Sequence, residues 1–245
     1  MRERKRRRNN AREVSGRKDP DRRLDDVHAS IDRYYSATIA RHGPTARGVD
    51  WTSAPTQKLR FLQLLKLCDF STSFSLNDLG CGYGALLAYL AEHHARTKVD
   101  YLGIDLSAAM IRHARKLWRE GNRKRFVVAN ASPRIADYSV ASGIFNVQLE
   151  QPGDRWERFI ATTLEQMSET SRLGFAVNFF DAPAPGRTAR PGLHRTAPAP
   201  WIRYCEQKLG MKAELLEDYG LREFTLLLRR RKSTRHRKLF PLLRQ

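Results

Sequence analysis

Short apolar runs alternate along the chain with longer stretches in which apolar residues recur every three or four positions. Between Ala54 and Asp69, Leu59, Leu62 and Leu65 recur at helical spacing with Phe61, Leu64 and Cys68, behind Ser53, whose hydroxyl suits a helix N-cap. Phe74 to Leu79 reads as a strand running into Gly80-Cys81-Gly82-Tyr83-Gly84, and Ala85 to Ala95 as the helix after it. Lys98 to Ile104 predicts a second strand. Asp105-Leu106-Ser107 then leads into a helix that gathers Met110, Ile111, Ala114, Leu117 and Trp118 on one face and stops at Gly121-Asn122. Arg125 to Ala129 and Tyr138 to Phe145 predict two further strands, and Asp154 to Glu169 a helix capped by Asp154 with Trp156, Phe159, Ile160, Leu164 and Met167 in one stripe. Gly174 to Phe180 gives a fifth strand, Trp201 to Leu209 a helix, and Met211 to Tyr219 and Glu223 to Leu228 two closing strands.

Strands alternating with helices imply an α/β fold: a doubly wound, mostly parallel sheet of seven strands. The closing pair, joined by only Gly220 to Arg222, implies an antiparallel hairpin at its edge. Residues 181–200 carry five of the eleven prolines and predict a lid loop with no core element. The net charge of +19 is concentrated at the ends. Residues 1–23 hold 11 Lys or Arg against 4 acids, and residues 229–245 hold 8 against none. The expected plan is a basic, disordered arm over 1–23, one domain over 24–230 with a helical cap at 24–70, and a basic tail over 231–245. Such ends invite salt-sensitive contact with nucleic acid or another anionic surface. No apolar run reaches the roughly 18 residues that span a bilayer. Cys68, Cys81 and Cys205 lack the spacing of a disulfide framework or a zinc site, so a soluble cytoplasmic protein with reduced thiols is expected.

The glycine turn carries the chemistry. Its missing side chains let backbone approach a ligand closely, and the helix behind it offers unpaired N–H groups. Alone the turn fits any nucleotide, because Gly80, Gly82 and Ala85 also satisfy the dinucleotide pattern. Asp78, just before it, favours a cationic ligand over a pyrophosphate. Asp105, at the end of the second strand, is placed to accept hydrogen bonds from ribose hydroxyls, while Ser107 is better placed to cap the next helix.

Asn77-Asp78-Leu79-Gly80-Cys81-Gly82-Tyr83-Gly84 resembles motif I of the class I S-adenosylmethionine-dependent methyltransferases, and Gly103-Ile104-Asp105-Leu106-Ser107 resembles the segment that follows it. The resemblance covers about residues 31–230 and implies a Rossmann-like fold with S-adenosylmethionine as cofactor. It implies that Asp78, Gly80, Gly82 and Gly84 meet the cofactor at the turn, Asp105 and Leu106 at the nucleoside, and Asn130 and Ala131 at the adenine. Ser142, in Ala141 to Asn146, falls in the fourth-strand motif facing the transferred methyl. Tyr34-Tyr35, His42-Gly43, Gly48 to Trp51, Gln57 and Arg60 resemble small-molecule members, in which an N-terminal helix covers the cofactor. Arg60 would then pair with the cofactor carboxylate and Trp51 and Tyr35 would wall the site.

Methyl transfer from a sulfonium is an in-line displacement, so alignment matters more than a catalytic signature. Asn146 is a candidate for positioning the acceptor, and Tyr35, His42, Asp181, His194 and Tyr219 are candidate proton acceptors. The fourth strand carries Ser142-Gly143-Ile144-Phe145 instead of the Asp/Asn-Pro-Pro-aromatic pattern of base amino methylases. His93 and His94 have no spaced partners, so no metal is expected. Asn178 stands inside an apolar strand and must find a hydrogen-bond partner if buried. The expected activity is methylation of a small-molecule acceptor. An RNA- or ribosome-associated methyltransferase using the basic ends, and a non-catalytic cofactor-binding protein, are the alternatives.

Overall fold

The computed structural model describes residues 20–182 and 190–231. Most of the basic arm (1–19), most of the basic tail (232–245) and residues 183–189 of the expected lid lie outside the described residues. Helix α1 (Pro20–His42) begins slightly inside the expected arm, and a 3-10 turn (Ala46–Val49) joins it to α2 (Ala54–Leu65). After these come β1 (Phe74–Leu79), α3 (Ala85–His93), β2 (Val99–Asp105), α4 (Ala108–Leu117), β3 (Lys124–Val128) and β4 (Ala136–Ala141). The chain continues with α5 (Gly153–Glu169), β5 (Ser171–Phe180), α6 (Pro198–Arg203) running into a π turn (Tyr204–Lys208), β6 (Met211–Leu216) and β7 (Glu223–Arg230).

The seven strands form one sheet in the order β3-β2-β1-β4-β5-β7-β6. Pairings among β1 to β5 are parallel, whereas β7 runs antiparallel to both β5 and β6. The closing hairpin therefore inserts its second strand beside β5 and leaves β6 at the edge. Both faces are covered, as alternation along the strands shows. Leu102, Ile104, Phe175, Val177, Phe224 and Leu226 point into a core completed by α1, α5 and α6. Phe74, Leu76, Tyr101, Ala176 and Leu227 point into another, completed by α2, α3 and α4. Trp156, fully buried, ties α5 to the loop after β4 by donating from its indole N–H to the Phe145 carbonyl at 3.0 Å.

Local capping explains several boundaries. Ser53 caps α2 by accepting from the Thr56 N–H, and Ser107 caps α4 by accepting from the Met110 N–H. The expected Asp154 cap is not formed: α5 starts after Pro152 without a side-chain bond. The fourth strand stops at Ala141, short of the expected Phe145, because the chain turns at Gly143 with φ +76°. The sixth stops at Leu216 instead of Tyr219, ahead of Asp218 at φ +59°.

Candidate active site

Strand order reverses between β1 and β4, so the loops at their C-terminal ends diverge and open a crevice where ligands of such sheets bind. A cavity occupies it. Its walls are the glycine turn after β1, Asp105, Leu106 and Ser107 after β2, Ala129 and Asn130 after β3, and Ser142, Gly143 and Ile144 after β4. His28, Ile31, Asp32 and Tyr35 of α1 close it from above, with Val49 and Trp51 from the following segment. The lid helix is fastened by Ser36, which lies 2.6 Å from the Ser107 hydroxyl and donates to Asp32 at 2.9 Å.

The turn packs closely against neighbouring side chains. A methyl group on Gly80, whose φ is +75°, would sit 2.3 Å from an Ile144 methyl, so only glycine leaves the crevice floor in place. Gly82 faces Val49 in the same crevice. Gly84 does not line the cavity; it lies under the Trp118 indole and lets α3 pack there, which corrects its assignment to the ligand.

The two acids differ in availability. Asp105 accepts from the Gly82 and Ser107 N–H groups, both at 2.8 Å, one on each carboxylate oxygen. Each oxygen keeps further acceptor capacity, and Asp105 lines the cavity. Burial raises its pKa to about 6, against the pull of those two bonds. Asp78 is 3% exposed and accepts from the Tyr101 hydroxyl at 2.6 Å. Burial raises its pKa to about 7, offset in part by that bond.

Of the remaining expected ligand residues, Leu106, Asn130 and Ser142 line the cavity, whereas Ala131 does not. The Ser142 hydroxyl is buried without a hydrogen-bond partner, a polar atom left to be satisfied. Trp51 and Tyr35 line this cavity. Arg60 is placed differently. It is 5% exposed, and its fork is held by both carboxylate oxygens of Glu223, with Nε donating at 2.8 Å, while another N–H donates to the Thr56 carbonyl. It therefore does not face the glycine turn, and its guanidinium instead stacks 3.7 Å from the Trp51 ring centre. Glu223 also accepts from Asn178, whose amide oxygen accepts from the Gly143 N–H at 2.7 Å. The puzzling Asn178 thus joins a buried network that fixes the turn after β4.

A second cavity adjoins the first and shares Tyr35, Val49, Trp51 and Gly143 with it. Asn146 and His42 line this chamber. Tyr219, His194 and Asp181 line neither cavity, and the Tyr219 hydroxyl lies 3.1 Å from that of Thr225. Burial together with negative neighbours, Asp50 foremost, pushes Tyr35 well above the ordinary phenol range, so its hydroxyl stays protonated and donates rather than taking a proton. His28, Asp32 and Ser36 were not anticipated. Their signal was an i, i+4 row beside the Val27, Ile31, Tyr35 and Ile39 stripe of α1. Among the described residues no group of three or more His, Cys, Asp or Glu is arranged to hold a metal ion.

Residues 77–166 match the model of the methyltransferase domain family. Rv1506c of Mycobacterium tuberculosis, a protein named as a methyltransferase, is 39% identical over 166 residues, which is 68% of this chain and 99% of that protein. Among solved structures, the magnesium protoporphyrin IX methyltransferase of Synechocystis PCC 6803 with bound S-adenosylmethionine matches with a TM-score of 0.57 at 15% identity, covering 89% of this chain and all of that one. The pyocyanin biosynthetic protein PhzM matches at 0.58 and 16% identity, over 80% of this chain and 61% of that one. At such identities these likenesses speak for the fold, and the Mycobacterium relative, matched along nearly its whole length, speaks for the family. With the sheet order, the glycine turn and that relative in agreement, the chain belongs to the class I S-adenosylmethionine-dependent methyltransferases.

Proposed function

We propose that this chain methylates a small-molecule acceptor, with residues 24–230 as its catalytic domain, in the cytoplasm, where its three unpaired cysteines stay reduced. The observation that carries this reading is the second cavity, an open-mouthed chamber that shares a wall with the crevice at the glycine turn. No helix among the described residues is long and apolar enough to cross a membrane.

The residues present fit the cofactor. When bound, S-adenosylmethionine supplies an electrophilic methyl group on a positively charged sulfur. Asp105 would hold the ribose hydroxyls with its free lone pairs, and Leu106, Asn130 and His28 would flank the adenine. Gly80, Gly82 and Asp78 would surround the methionine end, with the unpartnered Ser142 hydroxyl as a further polar contact. Trp51 and Tyr35, standing between the cavities, would align the acceptor and keep water out, and the Tyr35 hydroxyl would donate to it. Asn146, in the chamber, would orient the acceptor by hydrogen bonding. Arg60 acts as a positioning residue for Trp51. Tyr219 has no part in this arrangement.

Titration calorimetry with S-adenosylhomocysteine tests the cofactor site, and tritiated methyl transfer into separated metabolite and RNA fractions tests the acceptor. Label in a metabolite fraction is the expected result. A second reading, methylation of RNA, draws on the basic runs at residues 1–23 and 229–245. It requires that trimming residues 1–19 and 232–245, which spares α1 and β7, abolish labelling, and a small-molecule enzyme would tolerate that loss.

A further inference from the structure

We infer that the second cavity is shaped and charged for an anionic aromatic acceptor, a flat ring bearing a carboxylate; this rests on the methyl-transfer reading of the first cavity. Three independent features support it. The inner wall is aromatic: Trp51 and Phe180 meet edge to face with ring centres 6.4 Å apart, and both line the chamber. A planar ring stacks on such surfaces in preference to a flexible chain. The rim is basic. Arg41, Arg47 and Arg190 line it, all exposed and none in an ion pair among the described residues.

The lining holds one acid, Asp50, whose carboxylate already accepts from the Tyr34 hydroxyl at 2.8 Å. The Arg60 charge is cancelled by Glu223. An excess of positive charge over an apolar wall concentrates anions at the mouth and favours bidentate capture of a carboxylate. The third feature lies deeper. Asn146 is 2% exposed, and its amide oxygen accepts from the Phe180 N–H at 3.1 Å, which fixes the orientation of the group. Its NH2 end is left buried without a partner, a donor awaiting an acceptor atom. Exposed arginines alone would suit nucleic acid equally well. An aromatic wall with an unpartnered buried donor beside it suits a small ring that enters the chamber.

The test uses the full chain saturated with S-adenosylhomocysteine, with tryptophan fluorescence and calorimetry as readouts. Salicylate and naphthoate are titrated against their neutral analogues salicylamide and naphthamide. The acids should saturate the site, the amides should bind at least about tenfold more weakly, and added salt should weaken only the acids. Replacing Arg41, Arg47 and Arg190 together by Gln should remove that preference for acids while leaving S-adenosylhomocysteine affinity unchanged. Equal binding of acids and amides would overturn the inference, as would failure of every acid to bind a protein that still binds S-adenosylhomocysteine, or a single-stranded RNA binding where the acids do not. If S-adenosylhomocysteine itself fails to bind, the cofactor reading falls first, and this inference with it.

Discussion

Replacing Glu223 by Gln should cost this protein several kcal/mol, even though the change removes no volume. Glu223 is 4% exposed and Arg60 5%, so neither can turn to water once its partner is neutralised. Arginine keeps its charge at any pH a folded protein meets. At a charge separation of about 4 Å and an effective dielectric near 20, the lost attraction is about 4 kcal/mol, and broken buried pairs cost about 3 to 5 kcal/mol. The Gln amide also presents N–H groups to a side already crowded with donors from Arg60 and Asn178. The assay is urea unfolding followed by far-ultraviolet circular dichroism, reading the midpoint at constant slope. For a domain of this size the same loss should lower the melting temperature by about 10 °C. Lys58 and Glu92 provide the contrast. They too form a close pair, at 2.6 Å, but their side chains are 48% and 52% exposed, so Glu92→Gln should leave the midpoint where it was. The reasoning is refuted if both substitutions shift the midpoint equally.

Asp105→Ala should weaken S-adenosylhomocysteine binding by about 100-fold or more, since two hydrogen bonds to a charged group are worth roughly 1.5 to 3 kcal/mol each; calorimetry showing a loss below threefold would remove Asp105 from the site. Gly143→Ala should destabilise by about 2 to 4 kcal/mol, combining a left-handed backbone penalty with overpacking, because the added methyl lands 2.2 Å from the Trp51 ring. A quenched or shifted tryptophan emission should accompany the loss, and an unchanged urea midpoint would refute the contact. Because Asp78 and Asp105 titrate near 7 and 6 in the folded chain instead of 3.8, the native state binds more protons than the unfolded one between about pH 4 and 7, so in this window their contribution to stability falls as pH rises. Cofactor affinity should move the opposite way, weakening as pH drops through 6 and Asp105 protonates, and calorimetry at pH 5 and 8 distinguishes this from a pH-independent site.

What could be read from the sequence, and what could not, divides by the distance over which each residue acts. Ser53 and Ser107 were legible as caps because each bonds an N–H three residues ahead. The strand at Gly174 to Phe180 was legible because a short, nearly continuous apolar run suits a strand buried on both faces, and its side chains do go to opposite cores. The position of Asp105 beside the glycine turn was legible because it ends a strand whose register with β1 is local to one βαβ unit. Arg60 was misplaced for a complementary reason: its partner lies 163 residues away, on a strand whose insertion beside β5 no local pattern specifies. A buried Arg and a buried Glu both look, in sequence, like surface charges on an amphipathic helix and a closing strand. The same holds for Gly143, which reads as a break in a strand until Trp51 is found against it. Yet these long-range pairings govern the site, since Glu223 and Asn178 hold the Gly143 turn on which Trp51 rests and Arg60 clamps Trp51 from its other neighbour. The wall between the two cavities is therefore set in part by Arg60, Asn178 and Glu223, none of which lines the first cavity, and a substitution there should change how an acceptor is aligned without changing how the nucleoside is held.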